Sequence, residues 1–365
     1  MRFSGFDDEW IEEKLGNLVQ IKSGECTKNL ITGIDNSIPY FKVEQLNNSL
    51  KYQIKTPYFI NDKSKIVNKG SIIFPKRGAA ILLNKIRILN QDSFMDTNLM
   101  TLTPNNKLYN EFLYYFIYKE NLSKIADTTS IPQLNNKHIK PYPIKLPSFE
   151  EQLKISKFIS SVDKKVALLS QNLEIFNDFK KGLLQQIFTQ KLRFNFTDDW
   201  NYMNFSEIFK SVSTKKYQIK SADILDKGDF EVIDQGQDEI AGYFNDKTKL
   251  CQELPIIIYG DHTTFVKFRD KPFIVGADGV KLLIPKFNAN PKYLFYALEH
   301  FNIKPEGYKR HFSIIKKIKL PIPTLEEQNE ISEIFTYIDI KLKYTKIQLQ
   351  ETEEFKKGLL QQMFV

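Results

Sequence analysis

From Ile155 onward the apolar positions step alternately by four and three: Ile155, Ile159, Val162, Val166, Leu169, Leu173 and Phe176. That period lays them along one stripe of a helix, and so long a stripe calls for a partner helix beside it. Proline is absent from 153 to 190. The spacing therefore predicts a helix of about 35 residues, about 50 Å long at 1.5 Å per residue. Pro147, Ser148 and Glu151 precede it. They have the spacing of a cap whose hydroxyl takes the third amide while the glutamate reaches back to the cap's own amide. Gly182 lies inside the pattern, at a cost of about 1 kcal/mol. Either the helix ends near it or something packs closely there.

The same text returns 176 residues later. FKKGLLQQIF (179–188) recurs as FKKGLLQQMF (355–364), and PSFEEQLKIS (147–156) as PTLEEQNEIS (323–332), with no gap between the two stretches. Average residue frequencies give about two or three chance matches over such a length, far fewer than are seen, so the chain contains a duplication. Thr324 and Glu327 repeat the cap, Gly358 repeats the glycine, and the second stripe reads Ile331, Phe335, Ile338, Leu342, Thr345, Leu349 and Thr352. Two readings follow: the long helices pair within the chain, or each lies on its neighbouring globule. Residues 147–195 carry net +3 and residues 321–365 net −3, which modestly favours pairing with each other.

Fainter repeats join the remaining parts. Phe6–Trp10 (FDDEW) resembles Phe196–Trp200 (FTDDW), Leu15 and Leu18 match Phe205 and Ile208, and NEFLYYFI (110–117) resembles PKYLFYAL (291–298). The offsets differ, so the globules have diverged while the helices were kept. The expected organisation is a globule over 1–146, a helix segment over 147–195, a second globule over 196–320 and a second helix segment over 321–365. The fold class is α+β, with two α/β globules separated by two long helices.

Composition narrows the function. The chain has 365 residues, 42% hydrophobic and 26% charged, enough for two domains with buried cores. No apolar run suits a membrane span. Asp7, Asp8 and Glu9 sit where a secretory signal needs basic and then apolar residues. Cys26 and Cys251 are far apart and form no disulfide framework, so the cytoplasm is the expected compartment. His138, His262, His300 and His311 lack metal-ligand spacing, and no metal site is expected. A net charge of +8 and a pI near 9.0 suit a polyanionic partner, although a basic housekeeping protein has the same balance.

Base reading needs Arg or Lys for guanine and Asn or Gln for adenine, and phosphates take lysines, arginines and hydroxyls. In the first globule GSIIFPKRGAA (70–80) reads as a strand running into a basic loop at Lys76 and Arg77, with Lys85 and Arg87 beyond. The polar stretch 128–140 adds Thr129, Ser130, Gln133, Asn135 and His138. In the second globule Gln235 and Gln237 lie beside glycines, Asp261, His262 and Thr263 follow the apolar run IIIYG, and GYKRHFS carries Lys309, Arg310 and His311. Each set fits DNA contact or an ordinary solvated turn. Asp261 beside His262 lacks the nucleophile that a catalytic triad needs.

A variable globule followed by P-x-x-E-Q-x-x-I and K-K-G-L-L-Q-Q, given twice (Pro147–Ile155 with Lys180–Gln186, Pro323–Ile331 with Lys356–Gln362), resembles the specificity subunit of type I restriction enzymes. The resemblance implies two target-recognition domains at the ends of an antiparallel intramolecular coiled coil formed by Ile155, Ile159, Val162, Val166, Leu169 and Leu173 with Ile331, Phe335, Ile338, Leu342 and Leu349. Each domain reads one half of a split double-stranded DNA site. Two modification subunits methylate adenine with S-adenosylmethionine, and two restriction subunits use ATP and magnesium. The resemblance also implies a closing of the termini. With Val365 almost directly after the second motif, residues 1–14 are expected to take that role, or the closure is looser. The chain itself is expected to be non-catalytic and without a cofactor. It has no Pro-Pro for an adenine-methyltransferase loop and no GxxxxGK[ST] phosphate loop. A nuclease or methyltransferase reading would require turnover by the pure chain, and a scaffold reading would require no selection of DNA.

Overall fold

The structure, a computed structural model, describes residues 1–27, 30–32, 37–61, 66–307 and 309–364. It divides into two compact units, Met1–Leu169 with Gln348–Val365, and Ser170–Ile347. The long helices run over Phe149–Phe188 and Leu325–Met363. Both pass through their glycines without a break, and a Cβ at Gly182 or Gly358 would meet nothing within 4 Å. No neighbour packs closely at these glycines, which corrects that half of the expectation; the helices end six and five residues beyond them, at Phe188 and Met363. The penalty of about 1 kcal/mol is small beside the packing on either side.

In unit 1 a five-stranded sheet has the spatial order Val19–Ser23, Leu99–Pro104, Ile72–Pro75, Arg87–Leu89 and Tyr52–Gln53. All its pairs are antiparallel except the last. Its strand Ile72–Pro75 is buried throughout because it separates two cores. Ile72 and Phe74 face the larger core, and Ile73, one residue out of phase, faces a second core with Phe41, Leu46 and Leu99. Unit 2 repeats the device. Its antiparallel sheet is ordered Phe209–Val212, Val280–Pro285, Ile256–Gly260 and Val266–Arg269. Ile257 and Tyr259 face one core, Ile256 and Ile258 the other. A further four-stranded sheet completes each globule.

The larger core of each unit takes in the long helices. In unit 1, Ile155, Ile159 and Val162 from the start of the first helix meet Leu359, Leu360, Met363 and Phe364 from the end of the second, together with Phe112 and Tyr115 of the globule helix Asn110–Glu120. In unit 2, Leu184, Ile187 and Phe188 from the end of the first helix meet Ile331, Phe335 and Ile338 from the start of the second, with Tyr293 and Tyr296 of the helix Pro291–His300. The pairing is antiparallel in each unit, and the helices also lie on the globules, so the two sequence readings hold together. Val166, Leu169, Leu173, Leu342 and Leu349 are half-buried. Thr345 and Thr352 interrupt the second stripe and are buried, each hydroxyl donating to the carbonyl four residues back.

The cap glutamates do other work than expected. Ser148 and Thr324 each accept the third amide through their hydroxyl at 3.3 Å. The carboxylates turn to partners far along the chain. Glu151 accepts from Arg2 Nε and Nη2 (2.9 and 2.8 Å) and from Trp10 Nε1 (3.2 Å). Glu327 accepts from Arg193 Nε and Nη2 (3.0 and 2.8 Å) and from Trp200 Nε1 (3.0 Å). Each start of a long helix is thus locked to the chain that leads into its globule. Next to each lock an antiparallel strand pair, Ile11–Lys14 with Pro143–Leu146 and Asn201–Asn204 with Lys319–Ile322, joins the two ends of the globule. The Met1 ammonium donates to the Gln362 carbonyl at 2.6 Å.

Candidate nucleic-acid interface

The central strand of each unit runs straight into a candidate loop, and the two loops share one backbone frame. In unit 1, Ile72–Pro75 leads into Lys76 and Arg77. Lys76 donates its amide to the Asn98 carbonyl (2.8 Å) and accepts the Leu134 amide (2.9 Å), and Gly78 N donates to Pro132 O (2.9 Å). In unit 2, Ile256–Gly260 leads into Asp261. Asp261 donates its amide to the Gly279 carbonyl (2.7 Å) and accepts the His311 amide (2.7 Å). In both units the segment so joined then enters a one-turn helix, Asn136–Ile139 or Phe312–Ile315.

On this frame unit 1 gathers Lys76, Arg77, Thr129, Ser130 and Gln133. Gln133 bridges Arg77 and also Asp127, closing a loop whose tip exposes Thr129 and Ser130. Asp127 shapes that tip by accepting from the Thr129 amide and hydroxyl, bonds that hold its carboxyl below the usual value. Burial, and then the charge of Arg77, push the Lys76 ammonium below its ordinary value against a weaker pull from Asp96. An anion set against this pair relieves that repulsion. Asn135 and His138 lie at the start of the one-turn helix, where His138 Nδ1 accepts the Asn135 amide at 3.2 Å. Lys85 is half-buried beyond the loop. Arg87 points inward, with Nε, Nη1 and Nη2 donating to the carbonyls of Ser49, Ile86 and Leu46 at 2.6–2.7 Å. It ties its strand to the turn at Leu46 and Ser49 and is not gathered with the loop.

Unit 2 brings Gln235, Asp261, His262, Thr263 and His311 together, although several of them are turned inward. Gln235 accepts the His262 amide through Oε1 (3.0 Å), donates to Asp278 O through Nε2 (3.1 Å), and takes the Thr263 hydroxyl on its carbonyl. Gly279, at φ +86° and with a Cβ position 2.6 Å from Gln235 Nε2, has neither the conformation nor the room for a side chain. Asp261 is 3% exposed. Its Oδ1 accepts the Phe312 amide (2.8 Å), and its Oδ2 lies 3.6 Å from Lys281 Nζ. His311 is fully buried. Nε2 accepts the Glu306 amide at 3.0 Å, which leaves Nδ1 as the donor to Asp261 O at 3.1 Å. These two residues build the frame. Gln237, Lys309 and Arg310 face solvent on either side of it. Lys309 also pairs with Glu306. Lys267 pins the glutamine loop by donating to the carbonyls of Asp234 (3.0 Å) and Asp238 (2.5 Å).

Sequence reasoning missed Lys267, Lys281 and the Arg–Trp–Glu locks. The locks had a signal: Trp10 and Trp200, like Glu151 and Glu327, recur in both halves. Among the described residues no group of three or more His, Cys, Asp or Glu could hold a metal ion, and no helix is long and apolar enough to cross a membrane.

Comparison with known proteins places this geometry. The specificity subunit of the type I restriction enzyme MjaVIII of Methanocaldococcus jannaschii is 22% identical over 397 residues, covering 97% of this chain and 91% of that one. The crystal structure of the type-I restriction-modification system S subunit from M. genitalium superposes with a TM-score of 0.69 at 18% identity, covering 100% of this chain and 97% of that one. A chain from a structural study of complex assembly and conformational transition in the type I R-M system gives a TM-score of 0.53 at 14% identity, covering 99% of each. The model of the type I restriction modification DNA specificity domain matches twice, over residues 7–175 and 197–354, and the chain belongs to that family.

Proposed function

We propose that this chain is the DNA sequence-specificity subunit of a type I restriction–modification complex, each globule reading one half of a bipartite, asymmetric site. The observation that carries the reading is the shared frame with unlike occupants: Lys76, Arg77 and Gln133 on one copy, and His262, Thr263, Gln237 and Arg310 on the other. Equal occupants would read an inverted repeat, and unlike ones read unlike half-sites. The long helices act as a ruler for the unread gap and dock the methyltransferase subunits. In support of docking, an apolar cleft of about 390 Å³ opens on the helix pair of unit 2, lined by Phe176, Phe179, Leu183, Ile334 and Tyr337, with Phe179 and Tyr337 exposed. S-adenosylmethionine belongs to the modification subunits, ATP and magnesium to the restriction subunits, and none to this chain.

Mapping methylated adenines in cells carrying the complex tests the reading. The expected pattern is two unlike half-sites at a constant gap. Replacing Lys76 and Arg77 with Ala alters one half-site and leaves the other intact, and unchanged selectivity at both removes these residues from the interface. The first globule is net +6 and the second net +2. The first globule is therefore expected to contribute more of the nonspecific, salt-sensitive binding, and equal salt slopes for the two isolated globules would contradict this.

A further inference from the structure

We infer that Asp163 and Asp339 are positioning residues for recognition, each the node that fixes one globule to both long helices, and that these nodes set the gap between half-sites which the protein accepts. The inference rests on the bipartite reading above.

In unit 1, Asp163 Oδ2 accepts the Tyr115 hydroxyl at 2.5 Å, and Oδ1 pairs with Lys356 Nζ at 2.6 Å. Tyr115 comes from the globule helix, Asp163 from the first long helix and Lys356 from the second. Lys356 Nζ also stands 4.8 Å from the ring centre of Tyr118, on the same globule helix. In unit 2 the long helices exchange roles. Asp339 of the second helix accepts the Tyr296 hydroxyl through Oδ2 at 2.8 Å and pairs through Oδ1 with Lys180 of the first at 2.9 Å. Lys180 Nζ lies 3.1 Å from Glu299 of the globule helix.

The two nodes are copies of one design. Asp163 and Asp339, like Lys180 and Lys356, are 176 residues apart and are identical across the duplication. Tyr115 and Tyr296 correspond in the fainter repeat, as do Tyr118 and Glu299. The last pair differs in type yet offers the same ammonium an aromatic face in one unit and a carboxylate in the other. Burial and then the Asp163 charge hold the Tyr115 phenol well above its usual range, so it remains a donor at working pH.

Apolar stripes alone specify register weakly, because Leu, Ile and Phe repack at similar cost after a shift. The second stripe is weaker still, since Thr345 and Thr352 direct their hydroxyls back into their own helix. A charged, hydrogen-bonded pair has one geometry, and register is the best-attested use of such pairs. A slip of one helical turn moves an element by about 5.4 Å, against about 3.4 Å per base pair. Loss of a node therefore relaxes the accepted gap by one or two base pairs and leaves base reading within each half-site alone.

The test uses the full chain assembled with its methyltransferase subunits and duplexes built on the site recovered by methylation mapping, with the gap lengthened or shortened in single base pairs. The natural chain is expected to lose at least about tenfold in binding for a one-base-pair change, the scale of a mismatched position. Asp163→Asn and Lys356→Gln are expected to bind the altered gaps nearly as well as the natural one, with selectivity within each half-site unchanged. Lys356→Arg restores discrimination. If either variant fails to fold, Tyr115→Phe, which removes one hydroxyl, carries the test. Gap discrimination that survives in folded variants overturns the inference while leaving bipartite reading intact. A natural chain indifferent to the gap overturns the bipartite reading, and this inference with it.

Discussion

Glu327→Gln removes one charge from the buried lock of unit 2 while keeping shape and volume. The carboxylate, with a side chain 1% exposed, receives three donors: Arg193 Nε on Oε1, and Arg193 Nη2 with Trp200 Nε1 on Oε2. A carboxamide offers one acceptor oxygen. Its better orientation keeps oxygen at the Oε2 position, which holds two donors, and sets its own NH2 against Arg193 Nε–H. One hydrogen bond to a charged group, worth about 1.5–3 kcal/mol, is lost, and the guanidinium keeps a neutral partner. Trp200 is buried, so water repairs little. The expected loss is about 2 kcal/mol. Glu151→Gln in unit 1 is expected to lose less, because Arg2 is 28% exposed against 17% for Arg193 and the Trp10 bond is the longer, at 3.2 Å.

The chain carries its own reporters for this measurement. It has two tryptophans, Trp10 in unit 1 and Trp200 in unit 2. In a Trp10→Phe background, urea unfolding followed by fluorescence reads unit 2, and a Trp200→Phe background reads unit 1. Combining Glu327→Gln with Arg193→Met should lose scarcely more than the worse single change, since both break one contact. A loss below about 0.5 kcal/mol for Glu327→Gln, the range of ordinary surface substitutions, or a larger loss for Glu151→Gln, would refute the account of the locks.

Gly182→Ala and Gly358→Ala each place a methyl group in open space and should raise stability by about 1 kcal/mol, read as a higher melting temperature; a fall would show that the helices need glycine there. Arg87→Ala should lower the stability of unit 1 by releasing three carbonyls and leave DNA selectivity unchanged, the reverse of Arg77→Ala; altered selectivity in a fully stable Arg87→Ala chain would contradict this. Burial raises the Glu120 carboxyl, but Lys119 and the Tyr142 hydroxyl outweigh it and hold it below its ordinary 4.5. The stabilisation is present above that value and fades as pH falls through the depressed one. Glu120→Gln should therefore flatten part of the acid-side fall in the urea midpoint of unit 1, and an unchanged pH profile would count against the pairing.

The long helices were legible because a four–three period of apolar residues has few other uses, and because the duplication separated kept positions from drifting ones. Their glycines did not break them because a local propensity cost of about 1 kcal/mol is small against the core packing at the helix ends. Glu151 and Glu327 did mislead. A serine or threonine three residues before a glutamate looks like a closed local cap whatever the carboxylate later meets, and Arg2 lies 149 positions from Glu151. At the candidate interface, residue types pointed to loops that share one backbone frame and could not say which side chains turn inward. Asp261 and His311 are polar residues beside strand ends, where backbone amides and carbonyls also need partners, and there the frame claimed them.

Duplication makes that ambiguity tractable. A residue identical in both copies and bonded between a long helix and its globule, such as the half-buried Asp163 with Asp339 or the buried Gln152 with Gln328, belongs to the scaffold. Both glutamines accept the amide that opens the globule helix region, from Tyr109 or Asn290, and donate to the proline carbonyl five residues back. A residue at an equivalent frame position that differs in charge or donor pattern and faces solvent belongs to recognition. Arg77, opposite its counterpart His262, meets that condition; Lys76, opposite the buried Asp261, meets it on one side only. On the proposed reading, Arg77→Ala is therefore expected to change selectivity at one half-site, and Lys76→Ala to weaken binding to all sequences alike; the reverse pattern in a binding assay on variant duplexes would refute this assignment.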